Sequence, residues 1–213
     1  MFDDMILRYL NAGDLSGDDL DSVFLSLPPE RQEEISRIRS TEMRNLSLAG
    51  EILARTTVSE LTGADPSSVR IIRNENGKPF CEDKSAFFSI SHKGRYAVCA
   101  ADRDHQIGVD IEKIGSFRPG IAERFFSESE NRFIFGEEGQ SRGKISYDTS
   151  RRFFEVWTLK EAFVKNSGEG LAGIRRMELQ FSDTGMIAGG PDGYAFSIDR
   201  SISGYTTGIC ISL

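Results

Sequence analysis

Two long stretches of this chain, Thr41 to about Leu61 and Arg151 to Asn166, carry apolar residues at helical spacing, and each runs into a glycine, Gly63 and Gly168. In the first, Leu46, Leu48, Ala49, Ile52, Leu53 and Val58 mark the stripe, and Thr41 is read as its cap. The same strand signals follow both helices. Phe88-Ser89-Ile90 and Tyr96-Ala97-Val98-Cys99 come after the first, Phe196-Ser197-Ile198 and Tyr205 to Cys210 after the second. Within the helices, Glu51-Ile52-Leu53-Ala54-Arg55 mirrors Glu161-Ala162-Phe163-Val164-Lys165, so both halves read as long helix, strand, strand pair. A helix stripe and a sheet face bury each other. Recurrence in the same order therefore predicts an α+β fold of two similar subdomains, 1–104 and 105–213, related by a pseudo-twofold with the active site in the cleft between them.

Shorter elements fill the intervals. Pro28 and Pro29 open a helix over 28–39. Strands are expected at Val69–Arg73, Ala86–Ile90, Tyr96–Ala101, Ile107–Glu112, Met177–Phe181, Tyr194–Asp199 and Tyr205–Ser212, with a turn at Asn74-Glu75-Asn76-Gly77. His92-Lys93-Gly94-Arg95 reads as a tight strand connection, 119–126 and 127–135 as helical pieces, and the polar, glycine-containing 136–150 as a loop.

Composition narrows the function. With 38% hydrophobic and 28% charged residues, 213 residues make a soluble globular chain with ample core. A net charge of -7 argues against a general nucleic-acid binder, and an acidic partner would have to meet a local basic patch. Cys81, Cys99 and Cys210 have neither zinc spacing nor a disulfide framework, which points to a reducing compartment, the cytoplasm. The acidic start, Met1-Phe2-Asp3-Asp4-Met5, is not that of a signal peptide, and no run approaches the ~18–20 apolar residues of a membrane span.

The chemistry concentrates in two motifs. Gly108-Val109-Asp110-Ile111-Glu112-Lys113 places two carboxylates on one strand face, and Trp157-Thr158-Leu159-Lys160-Glu161-Ala162-Phe163-Val164-Lys165 adds a third with a lysine one helical turn on. Taken singly, the first is an ordinary solvated strand face and the second an ordinary i,i+4 helix pair. Together, Asp110, Glu112 and Glu161 suit a hard divalent cation, and Lys165 suits phosphate oxygens. Upstream, Asn76-Gly77-Lys78-Pro79 and Phe88-Ser89-Ile90-Ser91-His92 offer further anion contacts, whereas His105, in a charged run, reads as a solvated loop residue.

Gly77-Lys78-Pro79, Ser89-Ile90-Ser91-His92 and the two acidic motifs stand in the order seen in 4'-phosphopantetheinyl transferases, and the chain most resembles the larger type with two fused half-domains that activates surfactin synthetase. The resemblance runs from about Pro28 to Gly173. It implies transfer of the phosphopantetheine arm of coenzyme A to a serine of an apo carrier protein, with release of adenosine 3',5'-bisphosphate. Asp110, Glu112 and Glu161 would hold Mg²⁺ (or Mn²⁺) on the coenzyme A pyrophosphate, Lys165 would contact the same group, and these four form the implied catalytic set. Lys78, Ser91 and His92 would hold coenzyme A phosphates, His92 the 3'-phosphate. The serine proton would pass to Glu161, Glu112 or a metal-bound water. The implied partners are coenzyme A and an acyl or peptidyl carrier protein of fatty acid, polyketide or peptide synthesis, with no nucleic acid, no membrane and a monomeric enzyme.

Two departures concern the adenosine end. The family often has basic residues on the helix over 28–39; Arg31 fits, while Glu34 takes another such place. Leu46 stands where an arginine is expected, and Arg44, the substitute, is two residues away, roughly 200° around a helix. For carrier docking, Arg118 to Phe126 and Arg151-Arg152-Phe153-Phe154 both mix arginine with aromatics, although most of those rings read as core. The rival functions are a coenzyme A-binding module without turnover and a metal-dependent phosphohydrolase.

Overall fold

A helix laid across a three-stranded antiparallel sheet is built twice in this chain, once in Met1–Asp104 and once in His105–Leu213. The structure, a computed structural model, describes residues 2, 4–75, 77–136, 145–182 and 185–213. Asn76 of the expected turn and 137–144 of the expected loop lie outside the described residues.

The first unit runs β1 (Ile6–Asn11), α1 (Gly17–Ser26), α2 (Pro29–Ser36), α3 (Thr41–Thr62), β2 (Ile71–Arg73), β3 (Pro79–Cys81), β4 (Phe87–Lys93) and β5 (Tyr96–Asp102). Its sheet has the order β1-β5-β4, and β2 pairs with β3 alone. Ala97, Cys99 and Ala101 alternate along β5 and share a core with Ala49, Leu53, Ala54 and Val58 of α3. Leu20, Val23, Leu27 and Ile35 attach α1 and α2 through Leu48.

The second unit runs β6 (Ile107–Lys113), α4 (Pro119–Phe125), α5 (Glu128–Phe135), α6 (Tyr147–Ser167), α7 (Leu171–Arg176), β7 (Gln180–Phe181), β8 (Ile187–Gly189), β9 (Tyr194–Asp199) and β10 (Tyr205–Ser212). Its sheet has the order β6-β10-β9. Leu159, Ala162 and Phe163 of α6 share a core with Cys210, Met177 and Leu179 and with the rings of Phe126 and Phe153.

Register shows how closely the two frames agree. In the first, Cys99 of β5 faces Arg8 on one side and Ile90 on the other. In the second, Gly208 of β10 faces Asp110 and Ile198. The helices end alike, on glycines in the left-handed region at φ 78° for Gly63 and φ 76° for Gly168.

These observations correct several expectations. The repeat begins with a strand, β1 or β6, ahead of its helix; β1 was not anticipated, nor was α1, whose capping box of Ser16 and Asp19 starts it. Counting back from the glycine caps, Lys165 corresponds to Glu60 and Glu161 to Thr56, so the expected match of Glu51 with Glu161 is five residues out of register. Ser40, not Thr41, caps α3, its side chain accepting from Met43 N at 3.3 Å. Ser146 caps α6, which takes the end of the expected loop into the helix. His92 and Lys93 belong to β4 rather than to the connection, which turns at Gly94 with φ 61°. Met177 closes the unexpected α7, leaving only Gln180–Phe181 of the Met177–Phe181 strand. Among the described residues, no helix is long and apolar enough to cross a membrane.

Candidate active site

Two glycines set how closely α6 lies on its sheet. A Cβ on Gly108 would stand 2.0 Å from the Ala162 carbonyl oxygen, and one on Gly208 would stand 2.5 Å from the carbonyl carbon of Thr158. No side chain fits either space. Strand alternation then turns Asp110 and Glu112 to the same side as Gly108, toward α6. There Lys165 Nζ donates to Asp110 Oδ1 at 2.7 Å and to the Val109 carbonyl at 3.1 Å. One residue further, Asn166 Nδ2 donates to the carbonyls of Gln106 (2.8 Å) and Cys210 (3.0 Å), fastening the end of α6 to both β6 and β10.

The carboxylates sense one another across this seam. Burial raises the proton affinity of Glu161 most, the Asp110 charge adds to it, Lys165 opposes it, and Glu112 contributes a smaller push upward. Among the described residues, no three His, Cys, Asp or Glu side chains converge into a ready-made metal cage. The donor set fits a different kind of site. Hard oxygen donors with a neighbouring ammonium suit a small divalent cation that fills the rest of its shell with substrate phosphate oxygens and water. Asp110, Glu112 and Glu161 are the side chains that would hold it.

Lys160, inside the same helical motif, does something else. It is fully buried, pairs with the equally buried Glu130 at 2.9 Å, and donates to the carbonyls of Ile174 (3.0 Å) and Met177. Glu130 in turn accepts from the amides of Ser127 (2.8 Å) and Leu179 (2.9 Å). Burial lowers the pKa of Lys160, and Glu130 works against that shift. This ion pair ties α6 to α5 and to the segment after α7, so the motif mixes one structural lysine with the candidate site residues Glu161 and Lys165. Spacing gave one usable clue: Lys160 is adjacent to Glu161 and cannot share its face.

In the first unit, Arg31 donates to Glu34 and, through Nε, to Glu51 Oε1, both at 2.8 Å. Arg73 donates to the same Glu51 oxygen at 2.7 Å and to the Gly77 carbonyl at 3.0 Å. Glu51, only 3% exposed, therefore links Arg31 to the turn that presents Lys78. Asn74 locks that turn from within, its Oδ1 accepting from Lys78 N at 2.9 Å. Lys78 is half-buried, and burial lowers its pKa. Glu51 and Arg73 were not anticipated; an acidic residue on the buried side of α3 was the available signal. Arg44 is turned to the Ile38 carbonyl at 3.0 Å, away from this network, while Leu46 is core. Ser91 and His92 are neighbours on β4 and point to opposite faces of the sheet. His105 is exposed.

Comparison with known proteins gives the family. Residues 15–104 match the family model "4'-phosphopantetheinyl transferase, N-terminal", and residues 106–210 match that of the "4'-phosphopantetheinyl transferase superfamily". The chain is 34% identical to the 4'-phosphopantetheinyl transferase Sfp of Bacillus subtilis (strain 168), over 68% of this chain and 62% of that protein. It is 33% identical to the 4'-phosphopantetheinyl transferase ffp of Bacillus subtilis, over 74% and 67%. With the L-aminoadipate-semialdehyde dehydrogenase-phosphopantetheinyl transferase of Xenopus laevis it shares 32% identity, over 76% and 56%. The match to Sfp thus spans less than two thirds of that relative's length.

Proposed function

The chain belongs to the 4'-phosphopantetheinyl transferase superfamily, and on that footing we propose that it transfers the 4'-phosphopantetheine arm of coenzyme A to a serine of an apo acyl, peptidyl or aryl carrier protein. The observation that carries this reading is the seam where Lys165 meets Asp110 beside Glu161.

In the reaction, the serine oxygen bonds to the phosphorus next to the pantetheine, and the pyrophosphate bond breaks to release adenosine 3',5'-bisphosphate. Such transfers need alignment and charge neutralisation more than covalent help. Mg²⁺, or Mn²⁺ in its place, supplies part of that neutralisation when bound to Asp110, Glu112 and Glu161. Lys165, held at the seam by Asp110 and the Val109 carbonyl, has its third ammonium hydrogen to offer the pyrophosphate oxygens. The serine proton passes to a carboxylate of this set, Glu161 or Glu112, or to a water beside it.

The first unit carries further candidate anion contacts. Lys78, His92 and Arg31 are the anion contacts, and Glu51 with Arg73 keeps Arg31 and the Lys78 turn in register, while the Ser91 side chain leaves the opposite face of β4 from His92. The enzyme so described works on soluble partners as a cytoplasmic monomer.

Intact-mass spectrometry of an apo acyl carrier protein incubated with this chain, coenzyme A and Mg²⁺ tests the proposal. A gain of about 340 Da that EDTA abolishes is expected for a metal-dependent transfer of the arm. No gain on several carrier proteins, with coenzyme A still raising the melting temperature, would replace the transferase by a binding module. Hydrolysis of coenzyme A without an acceptor would replace it by a phosphohydrolase. His92→Ala is expected to raise KM for coenzyme A more than it lowers kcat; an unchanged KM would remove His92 from the site.

A further inference from the structure

The seam between α6 and its sheet has a third step that the candidate site does not use. Ala162 lies on Gly108, and Thr158 lies on Gly208. Glu155 stands one turn before Thr158 on the same side of the helix, and the next residue of β10 on the facing side is Thr206. Thr206 pairs directly with Glu112 of β6. The steps thus run Gly108 opposite Cys210, Asp110 opposite Gly208, and Glu112 opposite Thr206, the last with Glu155 above it.

Both newcomers are polar and sealed from solvent, Glu155 at 1% exposed and Thr206 at 0%. Glu155 Oε1 is in full use. Arg151 Nη1 donates to it from the preceding turn and Arg200 Nε from the β9–β10 connection, each at 2.7 Å. Glu155 Oε2 and Thr206 Oγ1 have no hydrogen-bond partner among the described residues, so they do not bond each other. Lys160 and Asn166, equally buried on the same helix, spend their hydrogens on protein partners. A buried carboxylate oxygen and a buried hydroxyl left over beside each other mark a place for a third molecule.

Charge and hydrogen-bonding capacity select that molecule. Two guanidiniums already compensate Glu155, so a further cation gains little there, and an anion is repelled by the oxygen it has to meet. Oε2 only accepts, so the occupant is a small neutral donor that also accepts from Thr206, which is water. A buried water makes about three hydrogen bonds. Strand pairing puts the Cβ of Glu112 about 5 Å from that of Thr206, which brings the Glu112 carboxylate within reach of the third.

We propose that Glu155 and Thr206 bind a structural water that donates to Glu155 and Glu112 and accepts from Thr206, making Thr206 and Glu155 positioning residues for Glu112 as a metal ligand; the inference rests on the transferase reading. A carboxylate that holds a metal is itself held by outer hydrogen bonds, and loss of one such bond weakens the metal about ten- to a hundredfold. Arg200 belongs to the same device. Its bond to Glu155 fastens the β9–β10 connection to α6 and so fixes the start of β10, which carries Thr206.

The test uses the whole chain saturated with coenzyme A and Mn²⁺ as the probe, its affinity read by titration calorimetry. Thr206→Val keeps the shape and removes the hydroxyl; it is expected to weaken Mn²⁺ about tenfold. Thr206→Ser keeps the hydroxyl and should stay near the wild-type value. In both, coenzyme A affinity without metal and the melting temperature should stay close to wild type, a pattern that a role in folding alone does not give. Glu155→Met should weaken Mn²⁺ by a similar factor, and the double variant scarcely more, since either change expels the same water. A crystal structure of the wild type should show that water about 2.8 Å from Thr206 Oγ1 and Glu155 Oε2. Unchanged Mn²⁺ affinity in Thr206→Val, or equal losses from valine and serine, overturns the positioning role, while the transferase, read by the mass gain of the carrier protein, stands. Losses that multiply in the double variant overturn the shared water. If Glu155→Met does not fold, the valine and serine pair decides alone. A wild type that binds Mn²⁺ but transfers nothing removes the transferase, and the affinities still judge the water. A wild type that neither binds Mn²⁺ nor transfers removes both.

Discussion

The two units place an ion pair at the same point of the same frame with the charges exchanged. In the first, the strand carries Arg8 and the helix Glu60; in the second, the strand carries Asp110 and the helix Lys165. Sheet register equates Arg8 with Asp110, and the helix caps equate Glu60 with Lys165. Their surroundings separate them. The Arg8 and Glu60 side chains are 50% and 46% exposed, those of Lys165 and Asp110 30% and 10%. Where the second unit has Gly108 and Gly208 under its helix, the first has Ile6 and Cys99. One frame thus serves as a scaffold with a solvated surface pair. Its twin, by omitting two side chains, draws the helix down until a carboxylate and an ammonium are partly withdrawn from water and a second carboxylate, Glu161, joins them. An exposed pair contributes little, because water screens it. A withdrawn one perturbs its neighbours, and perturbed groups are what catalysis uses.

Substitution at the equivalent positions of the two frames should separate these roles. The largest effect is expected for Gly208→Val, whose side chain overlaps the α6 backbone; it should cost more than about 5 kcal/mol and leave the second unit unfolded. Cys99→Val, at the matching position, should cost only about 1 kcal/mol. Urea denaturation reads both, and a folded Gly208→Val within 1 kcal/mol of wild type would remove close approach as the difference between the units.

Next comes Asp110→Ala, expected to lower turnover about a thousandfold, or about 4 kcal/mol, with the fold intact. Arg8→Ala should leave turnover alone and shift stability by no more than about 0.5 kcal/mol. Equal losses of activity would show that the pairs are not functionally distinct. Lys160→Met should cost about 3 kcal/mol, because Glu130 is left charged and buried, and adding Glu130→Gln should recover much of that loss. Its counterpart Arg55, bonded to Ser26 Oγ at 2.9 Å, should tolerate methionine at under about 1 kcal/mol.

The smallest effect is on pH dependence. A folded pKa of Glu161 above its unfolded value means that the native state binds the extra proton, so stability is lost as pH rises from the ordinary glutamate range through the raised one. Glu161→Gln lacks that loss. Without metal it should match wild type at acid pH and melt on the order of a degree or two higher at pH 8, while turnover disappears. A pH-independent difference in melting temperature would mean that Glu161 titrates normally.

Much of this was legible in the sequence because the elements bearing chemistry are also the most regular. Both long helices announce themselves by stripe and glycine stop, β10 was read to the residue, and the second halves of the two repeats align correctly. β1 escaped because Ile6–Asn11 is only partly buried and shows no clean alternation. The helices were aligned out of register because Glu51 and Glu161 look alike in sequence; only the caps reveal that one faces Arg31 and Arg73 and the other faces the β6 carboxylates. The four candidate site residues of the second unit lie on one helix and one strand, where spacing fixes direction. The proposed coenzyme A contacts come from α2, a turn and a strand, and pairings such as Arg31 with Glu51 depend on long-range packing that no local pattern encodes.

The buried ammonium of Lys160 also has a consequence in time. Its partners lie on both sides of α6 in the chain: Glu130 thirty residues before it, Ile174 and Met177 fourteen and seventeen after. Water solvates this charge well, so a chain collapsing onto it before those partners arrive would strand it in an apolar interior. The pocket around Lys160 is therefore expected to close late, after α5 and the segment beyond α7 have docked, with its contacts formed in the native state rather than in the transition state that precedes it. Stopped-flow measurements should find that Lys160→Met accelerates unfolding and scarcely slows folding. A residue outside the candidate site would then set how long the second unit stays folded.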